Sequence, residues 1–199
     1  MERAANPDDV KKRWEKYGLP EDMAGKSFLD VGCWAGGFVR EAVRRRKAFF
    51  GIGIDSVPSP LWSDHPKEIY ILMDAFNPNF LGLPFCDVVL CAGVLYHVSD
   101  PVGLLRRLRM KTNELCILET VFTWAYPFPY LRYCPDNSFD DNPSNWFLPN
   151  QAFLRAIMPE VGFEILKTVK DGDRLCMHLM PSDRVIAKLL PRKPQFMKN

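Results

Sequence analysis

The chain lacks long apolar runs and carries almost no net charge. Its 199 residues hold 26 Lys and Arg against 24 Asp and Glu, which gives a formal net charge of +2. That balance is too small to indicate a nucleic-acid partner by itself. No stretch approaches the roughly 20 apolar residues of a membrane span, and the first residues lack the apolar core of a signal peptide. These absences predict a soluble, cytoplasmic protein with no membrane partner.

Metal-binding and redox cysteine pairs are also missing. The six cysteines form no Cys-x-x-Cys motif and fall mostly in strand-like apolar runs, as expected for buried thiols in a reducing compartment. Cys91 and His97 are near one another in sequence, but no further ligand pair is spaced to complete a zinc site around them. The sequence therefore predicts no bound metal.

The most informative segment is residues 27–37, Ser-Phe-Leu-Asp-Val-Gly-Cys-Trp-Ala-Gly-Gly. This pattern predicts a short buried strand that turns through glycines into a helix over residues 37–47. About twenty residues past the turn, a second apolar run ends in Asp55, an acid placed to accept hydrogen bonds from ribose hydroxyls. Glycines and acid together predict a nucleotide-cofactor site.

The turn differs from the dinucleotide-binding fingerprint. Gly-x-Gly-x-x-Gly brings helix N-terminal amides to a pyrophosphate, whereas this turn is Asp30-x-Gly32-x-Trp34-x-Gly36, which disfavours NAD. It resembles motif I of the class I S-adenosylmethionine methyltransferases. That resemblance implies that Asp30 lies near the ammonium of the cofactor and that Gly32 and Gly36 give the backbone room. Trp34 stands where that family usually has its middle glycine.

Three further strand-like runs follow, alternating with helices, and they end before Asp74, before His97 and near Glu119. This alternation predicts an α/β protein whose mostly parallel sheet is covered on both faces, with ligands beyond the strand carboxyl ends. The resemblance implies a Rossmann-like class I methyltransferase fold with seven strands, and it places Asp74 near the adenine. The predicted cofactor-binding residues are Asp30, Gly32, Cys33, Trp34, Gly36, Asp55, Ser56, Asp74, Ala75, Cys91 and Ala92.

Two segments resemble one particular branch of the class I methyltransferases. Residues 93–97, followed by Asp100-Pro101 and a leucine-rich helix, are similar to the branch that contains the tRNA wobble-uridine carboxymethyltransferases. The Asn-Trp-Phe-x-Pro pattern within residues 141–150 is similar to the same branch. The likeness runs from about residue 19 to residue 181.

The resemblance also raises a question about the donor. In the carboxymethyl-transferring relatives, an arginine that begins the last strand helps to bind the additional carboxylate of carboxy-S-adenosylmethionine, and Arg174 occupies a similar place. An arginine after Asp171-Gly172-Asp173 could equally be an ordinary turn residue. The main prediction is therefore transfer from S-adenosylmethionine with S-adenosylhomocysteine as product, and the carboxy form is the alternative donor.

His97, just past the fourth strand, is the best-placed general base because imidazole titrates near neutrality. Tyr96 is predicted to order the donor or the acceptor. A histidine after a strand is as often a packing residue, so the catalytic role is a hypothesis. The main prediction is methyl transfer to a hydroxyl or nitrogen of a small molecule or sugar. The alternatives are tRNA wobble-uridine modification and a non-catalytic binding or activating subunit on the same fold.

Residues 122–148 form an insert rich in aromatic residues and prolines. Segments of this length are usually functional or disordered, and so many aromatics argue against disorder. We predict that the insert walls the acceptor pocket, the alternative being a packed loop that caps an open sheet edge. The residues predicted to contact the substrate are Trp124, Tyr126, Tyr130, Asn145, Trp146 and Arg174.

The simplest division of the chain is one methyltransferase domain over residues 1–181, with a short N-terminal helix at residues 7–18, followed by a basic tail at residues 182–199. Relatives that act on tRNA carry an additional N-terminal region, and its absence counts against recognition of whole tRNA. We interpret the local clusters of basic residues as solvated helix faces rather than as an RNA-binding surface. The oligomeric state is left open.

Overall fold

The computed structural model describes residues 6–124 and 127–182. The strands are β1 (Ser27–Val31), β2 (Phe50–Asp55), β3 (Glu68–Leu72), β4 (Cys86–Ala92), β5 (Thr112–Val121), β6 (Leu131–Tyr133), β7 (Phe147–Pro149), β8 (Phe163–Asp171) and β9 (Arg174–Pro181). The helices are α1 (Pro7–Tyr17), α2 (Gly37–Arg40), α3 (Pro101–Lys111) and α4 (Gln151–Glu160). A π-helical turn (Glu41–Arg45) continues α2, and short 3₁₀ helices span Pro78–Gly82 and Leu95–His97.

Seven strands form one sheet in the order β3-β2-β1-β4-β5-β9-β8. Strands β1 to β5 run parallel to one another, and β9 runs antiparallel to both of its neighbours. The predicted α/β class and the mostly parallel seven-stranded sheet are confirmed. The strand order reverses between β1 and β4, which is where an open α/β sheet forms its ligand crevice.

Apolar layers cover both faces of the sheet, one with α3 and α4 and the other with α1 and α2. Helix α1 is anchored by Trp14, whose fully buried ring lies 5.5 Å from that of Phe28 and 6.3 Å from that of Phe38. The indole nitrogen of Trp14 donates a hydrogen bond to the carbonyl of Pro20 at 3.0 Å. The N-terminal helix is thus part of the core that supports β1.

The helix after the glycine turn differs from the expected one. The sequence predicts a helix to residue 47, whereas the structure ends it at Arg45 and buries the charged side chain of Glu41 within it. The buried carboxylate is paired with Arg46 at 3.0 Å and with Arg45 at 3.5 Å, which offsets its desolvation. The amide of Arg46 donates to the carbonyl of Glu41, an i to i+5 bond that widens this turn.

The aromatic insert is more regular than its prolines suggest. Strands β6 and β7 form an antiparallel ribbon in which Leu131 pairs with Pro149 and Tyr133 with Phe147. The prolines of the insert itself precede β6 or lie between the two strands, where no ladder hydrogen bond is needed.

Some predictions fall on residues that the structure does not describe. These are the substrate role of Tyr126 and the basic tail from residue 183 onward. Within residues 6–124 and 127–182, no helix is long and apolar enough to cross a membrane.

The first prediction concerns the anchoring of α1. Trp14→Ala should lower the free energy of unfolding by about 3–5 kcal/mol, because it removes a fully buried ring and leaves a cavity beneath the sheet. Urea unfolding measures the change, with the exposed Lys12→Ala as the control that should stay within about 0.5 kcal/mol. If the two variants unfold alike, α1 is not part of the cooperative core.

Candidate cofactor and acceptor site

The polar residues at the carboxyl ends of the strands share one face of the sheet. Asp30 lies beside Gly53, two residues before Asp55, and Glu119 lies beside Ala92. Arg174 of β9 pairs with Val121, two residues past Glu119. Because side chains alternate along a strand, these groups all point to the side of the sheet that α1 covers.

Two glycines allow the turn after β1 to pack closely against the segment after β4 and against β3. Gly32 and Gly36 both adopt positive φ angles, 79° and 74°. A Cβ atom on Gly32 would overlap a methyl group of Val94, and one on Gly36 would overlap the ring of Tyr70. Only glycine fits either position, so the turn packs directly on the segment after β4 and on β3.

Trp34 adopts a left-handed backbone conformation with φ 48°, although glycine is the usual residue for such an angle. Its amide donates to Oδ2 of Asp55 at 2.7 Å, and its carbonyl accepts from Nε1 of Trp62 at 2.8 Å. The ring of Trp62 stacks on Tyr70 with centroids 5.6 Å apart and planes 10° from parallel. These contacts hold the loop in its turn without a middle glycine, and the Trp34 side chain stays 45% exposed.

Asp30 is a buried acid with an unpaired oxygen. Its side chain is 2% exposed, and Oδ2 has no hydrogen-bond partner among the described residues. Burial, and then the charge of Asp55, raises the pKa of Asp30 to about 8. Buried polar atoms are normally satisfied, so an orphaned carboxyl oxygen fits a site for a cationic donor such as the ammonium of S-adenosylmethionine.

The other predicted cofactor residues have different placements. Asp55 is partly exposed, with Oδ1 accepting from the amide of Val57 at 2.9 Å, and Asp74 accepts from the amide of Phe76 at 2.6 Å. Ser56 is exposed, Ala75 and Ala92 are partly exposed, and Cys33 packs beneath Gly53. Cys91 is fully buried in the apolar layer beneath α3 and α4, the face opposite to Asp30.

Tyr96, Arg174 and Glu119 form a cluster at the end of β5. Nη1 of Arg174 donates to the Tyr96 hydroxyl at 3.2 Å and lies 3.4 Å from Oε1 of Glu119. The guanidinium also lies over the Tyr96 ring, 5.5 Å from its centroid. Burial raises the pKa of Glu119 above its usual range, although Arg174 opposes the shift.

His97 lies next to Tyr96 and contacts the insert. Its Nδ1 is 3.2 Å from the carbonyl of Ser144 and 3.0 Å from the hydroxyl of the same residue. The amide of Trp146 donates to the carbonyl of Tyr96 at 2.8 Å. Asn145 between them is buried, and its Oδ1 has no partner among the described residues. The insert therefore supplies one wall beside His97.

The structure does not bring all the predicted substrate residues together. Asn145, Trp146 and Arg174 surround Tyr96 and His97, whereas Trp124 contacts Phe122 and Lys170 on the other face of the sheet. The Tyr130 hydroxyl instead pairs with that of Thr123 at 2.9 Å.

Sequence reasoning missed two contacts of this site. Ser144 lies within the Asn-Pro-Ser-Asn-Trp-Phe segment, which was a usable signal for its role beside His97. No local pattern predicts that Trp62 supports the turn at Trp34.

No group of three or more His, Cys, Asp or Glu side chains among the described residues is arranged to hold a metal ion. His178 of β9 packs its ring against Gly18 at the end of α1.

The sheet order, the glycine turn after β1 and the acid that ends β2 define the Rossmann-like class I fold of the S-adenosylmethionine-dependent methyltransferases. A family model for a methyltransferase domain matches residues 3–168, and the chain belongs to that family.

Relatives and solved structures agree with this placement. A tRNA U34 carboxymethyltransferase of Pseudoalteromonas translucida is 29% identical over 171 residues, covering 80% of this chain and 51% of the relative. The chain spans about half the length of the curated relatives it matches. An S-adenosylmethionine-dependent methyltransferase from Mesorhizobium loti superposes with TM-score 0.63 and 13% identity, covering 86% of this chain and 97% of that one. The N-terminal domain of EvdMO1 with S-adenosylhomocysteine bound gives TM-score 0.62 and 17% identity, covering 90% and 80%.

The second prediction follows from the burial of Asp30. Its carboxyl keeps a proton up to about pH 8 in the folded state but loses it near pH 4 when unfolded, so stability falls as the pH rises between these values. Asp30→Asn removes this cost. We compare the free energy of unfolding of Asp30→Asn with that of the wild type in ligand-free protein, measured by urea unfolding. The difference in favour of the variant should be larger at pH 8 than at pH 5.

Asp87→Asn is the control of opposite sign. Partial burial raises the pKa of Asp87, but hydrogen bonds from Ser27 lower it further, to below its usual value. The stabilisation by the Asp87 carboxylate is present above its unfolded pKa, so Asp87→Asn should cost stability at both pH values. A stability difference between Asp30→Asn and the wild type that does not change with pH would contradict the buried protonated acid.

Proposed function

We propose that this chain transfers a carboxymethyl group from carboxy-S-adenosylmethionine to a wobble uridine of tRNA. The observation that carries the donor assignment is the Arg174 guanidinium beside Tyr96, at the cleft formed by the carboxyl ends of the strands. The acceptor assignment is supported by the relatives that are named tRNA U34 carboxymethyltransferases. The match spans only about half of their length, and so the acceptor belongs to the proposal.

A guanidinium is an unfavourable neighbour for a plain sulfonium donor, because both are cations. A donor that carries an additional carboxylate turns this repulsion into a charge-assisted, bidentate contact. Among the described residues, the hydrogen bonds of Arg174 use Nη1 alone, which leaves Nη2 and Nε for a carboxylate.

The rest of the cleft suits the common part of the donor. Asp30 offers its unpaired carboxyl oxygen to an ammonium, and Asp55 offers carboxylate oxygens to ribose hydroxyls. The bound donor would supply an electrophilic carbon on a sulfonium. The protein mainly holds that carbon in line with the acceptor atom.

In this proposal, His97 takes a proton from the acceptor. When Nδ1 donates to the carbonyl of Ser144, Nε2 is the basic nitrogen, and no described residue hydrogen bonds to it. Burial lowers the pKa of His97 below its usual value, the bond to Ser144 opposes this, and Arg174 adds to it. The ring is therefore neutral, and able to act as a base, at physiological pH.

Glu119 favours a second candidate, plain methyl transfer from S-adenosylmethionine to a small-molecule or sugar hydroxyl. Its carboxylate already lies 3.4 Å from Nη1 of Arg174 and could balance that cation without a second one. The two candidates differ in which donor depends on Arg174.

The third prediction tests that dependence. Arg174→Leu should weaken binding of carboxy-S-adenosylmethionine by roughly 10-fold to 100-fold, the loss expected for a charged hydrogen bond, and leave S-adenosylmethionine affinity nearly unchanged. Calorimetric titration of both donors measures this, with the exposed Arg132→Leu of β6 as the control. Wild-type protein that binds both donors equally, with Arg174→Leu affecting neither selectively, would favour the second candidate.

The fourth prediction concerns His97. His97→Gln should reduce turnover by roughly 10²–10⁴-fold and leave donor affinity unchanged, because the ring acts on the acceptor. In wild-type protein, activity should be lost as the pH falls through the depressed pKa of His97, so the acidic limb lies below about 6.5. Steady-state rates with a wobble-position substrate measure both. Near wild-type turnover of His97→Gln would make the histidine structural.

A further inference from the structure

A second recessed site lies on the face of the sheet opposite to Tyr96 and Arg174. Its cavity of about 460 Å³ is lined by Trp124, Arg155 and Lys170, together with the first residues of α4. We infer that it binds a nucleotide of single-stranded RNA that flanks the nucleotide held beside His97. This inference rests on the proposed function for the identity of the RNA, but not for the chemistry of the cavity.

The alternation of side chains at the end of β5 separates the two sites. Val121 packs with Tyr96 and pairs with Arg174. Phe122 is the next residue, and its backbone still pairs with the β8–β9 turn through the carbonyl of Asp173. Its ring therefore points to the other face, where it meets Trp124 at 4.7 Å between centroids. The two sites are back to back across one strand end.

Trp124 supplies the stacking surface. Its side chain is 65% exposed, although an indole has a large apolar area that is costly to leave in water. The ammonium of Lys170 lies 4.4 Å from its ring centroid and orients the ring. An exposed indole in a recess is suited to a flat apolar partner, and a nucleobase is one that every RNA sequence offers.

The charges of the cavity select an anionic ligand. Arg155 and Lys170 are both exposed and line it together, and no acidic residue is among its lining residues. No described acid lies within ion-pair distance of either cation. The proposed nucleotide would place its phosphate at these two cations and its base on the indole.

The size of the cavity fits one nucleotide. Its volume is within the range of about 300–1,000 Å³ that small-ligand sites occupy, and it is too small for a duplex. A base can enter only if it is unstacked from its neighbours, which is the state of bases in single-stranded loops. The ligand is therefore a splayed nucleotide of a loop or a single strand.

The fifth prediction is made for binding of a fluorescently labelled uridine hexamer to the full chain, followed by anisotropy. Trp124→Ala should weaken binding by roughly 10-fold to 100-fold, the loss expected for one stacked base, whereas Trp124→Phe should retain most of the affinity. Lys170→Gln should reduce the slope of log affinity against log salt by about 0.7, the value for one phosphate contact of a single strand.

Two matched variants control for general effects of the same changes. Phe128→Ala removes an exposed aromatic of the same insert that does not line the cavity. Lys167→Gln removes a lysine of β8 whose side chain lies on the other face, toward His178. Both should leave the hexamer affinity and its salt slope unchanged, and all variants should retain calorimetric binding of S-adenosylhomocysteine.

The outcomes separate this inference from the proposed function. Dependence of hexamer binding on Trp124 and Lys170 supports it, even if carboxy-S-adenosylmethionine is not bound and the proposed function fails. Hexamer affinity that is unchanged in Trp124→Ala overturns it, whatever the donor. Displacement of the hexamer by hexaglutamate, with the same dependence on Trp124, also overturns it and assigns the cavity to an acidic peptide.

Discussion

The contact between Gly32 and Val94 is the constraint on which the site depends. A methyl group of Val94 occupies the space where a side chain at position 32 would lie, so the segments after β1 and β4 meet without a gap. The buried acid Asp30 precedes one segment, and His97, whose amide donates to the carbonyl of Val94 at 2.8 Å, closes a turn of the other. This contact therefore fixes how far the proposed donor-binding acid lies from the proposed base.

Much of the fold was predictable because each of β1 to β4 is an apolar run that ends within two residues of a glycine or an acid, as at Gly32 and Asp55. The site around His97 was only partly predictable from the sequence. The contact between His97 and Ser144 joins residues that are 47 positions apart, and it depends on how the insert folds. Trp124 and Trp146 look alike in the sequence, because both are tryptophans of the aromatic insert, yet they lie on different faces of the sheet. Their separation is set by the strand register after β5, which no local pattern reveals.

Two buried carboxyl groups in one cleft have different environments. Glu119 has the Arg174 guanidinium beside it, whereas one oxygen of Asp30 has no partner among the described residues and its pKa is raised to about 8. If every buried carboxyl oxygen had a hydrogen-bond partner within the protein, the fold would be more stable, but no oxygen would be left to bind a cationic group. The unpaired acid thus lowers the stability of the ligand-free fold where it prepares a binding site.

The end of β5 suits the proposed RNA ligand although the chain has a net charge of only +2. A broad basic surface attracts any phosphate chain, whereas Trp124, Lys170 and Arg155 place one stacking surface and two cations in a single recess. Val121 and Phe122 are adjacent, so the proposed RNA strand would pass around the end of β5 between the recess and Tyr96. In the proposed complex, affinity would come from a few positioned groups on both faces of the sheet, and selection of the reacting base would come from the path of the strand between them.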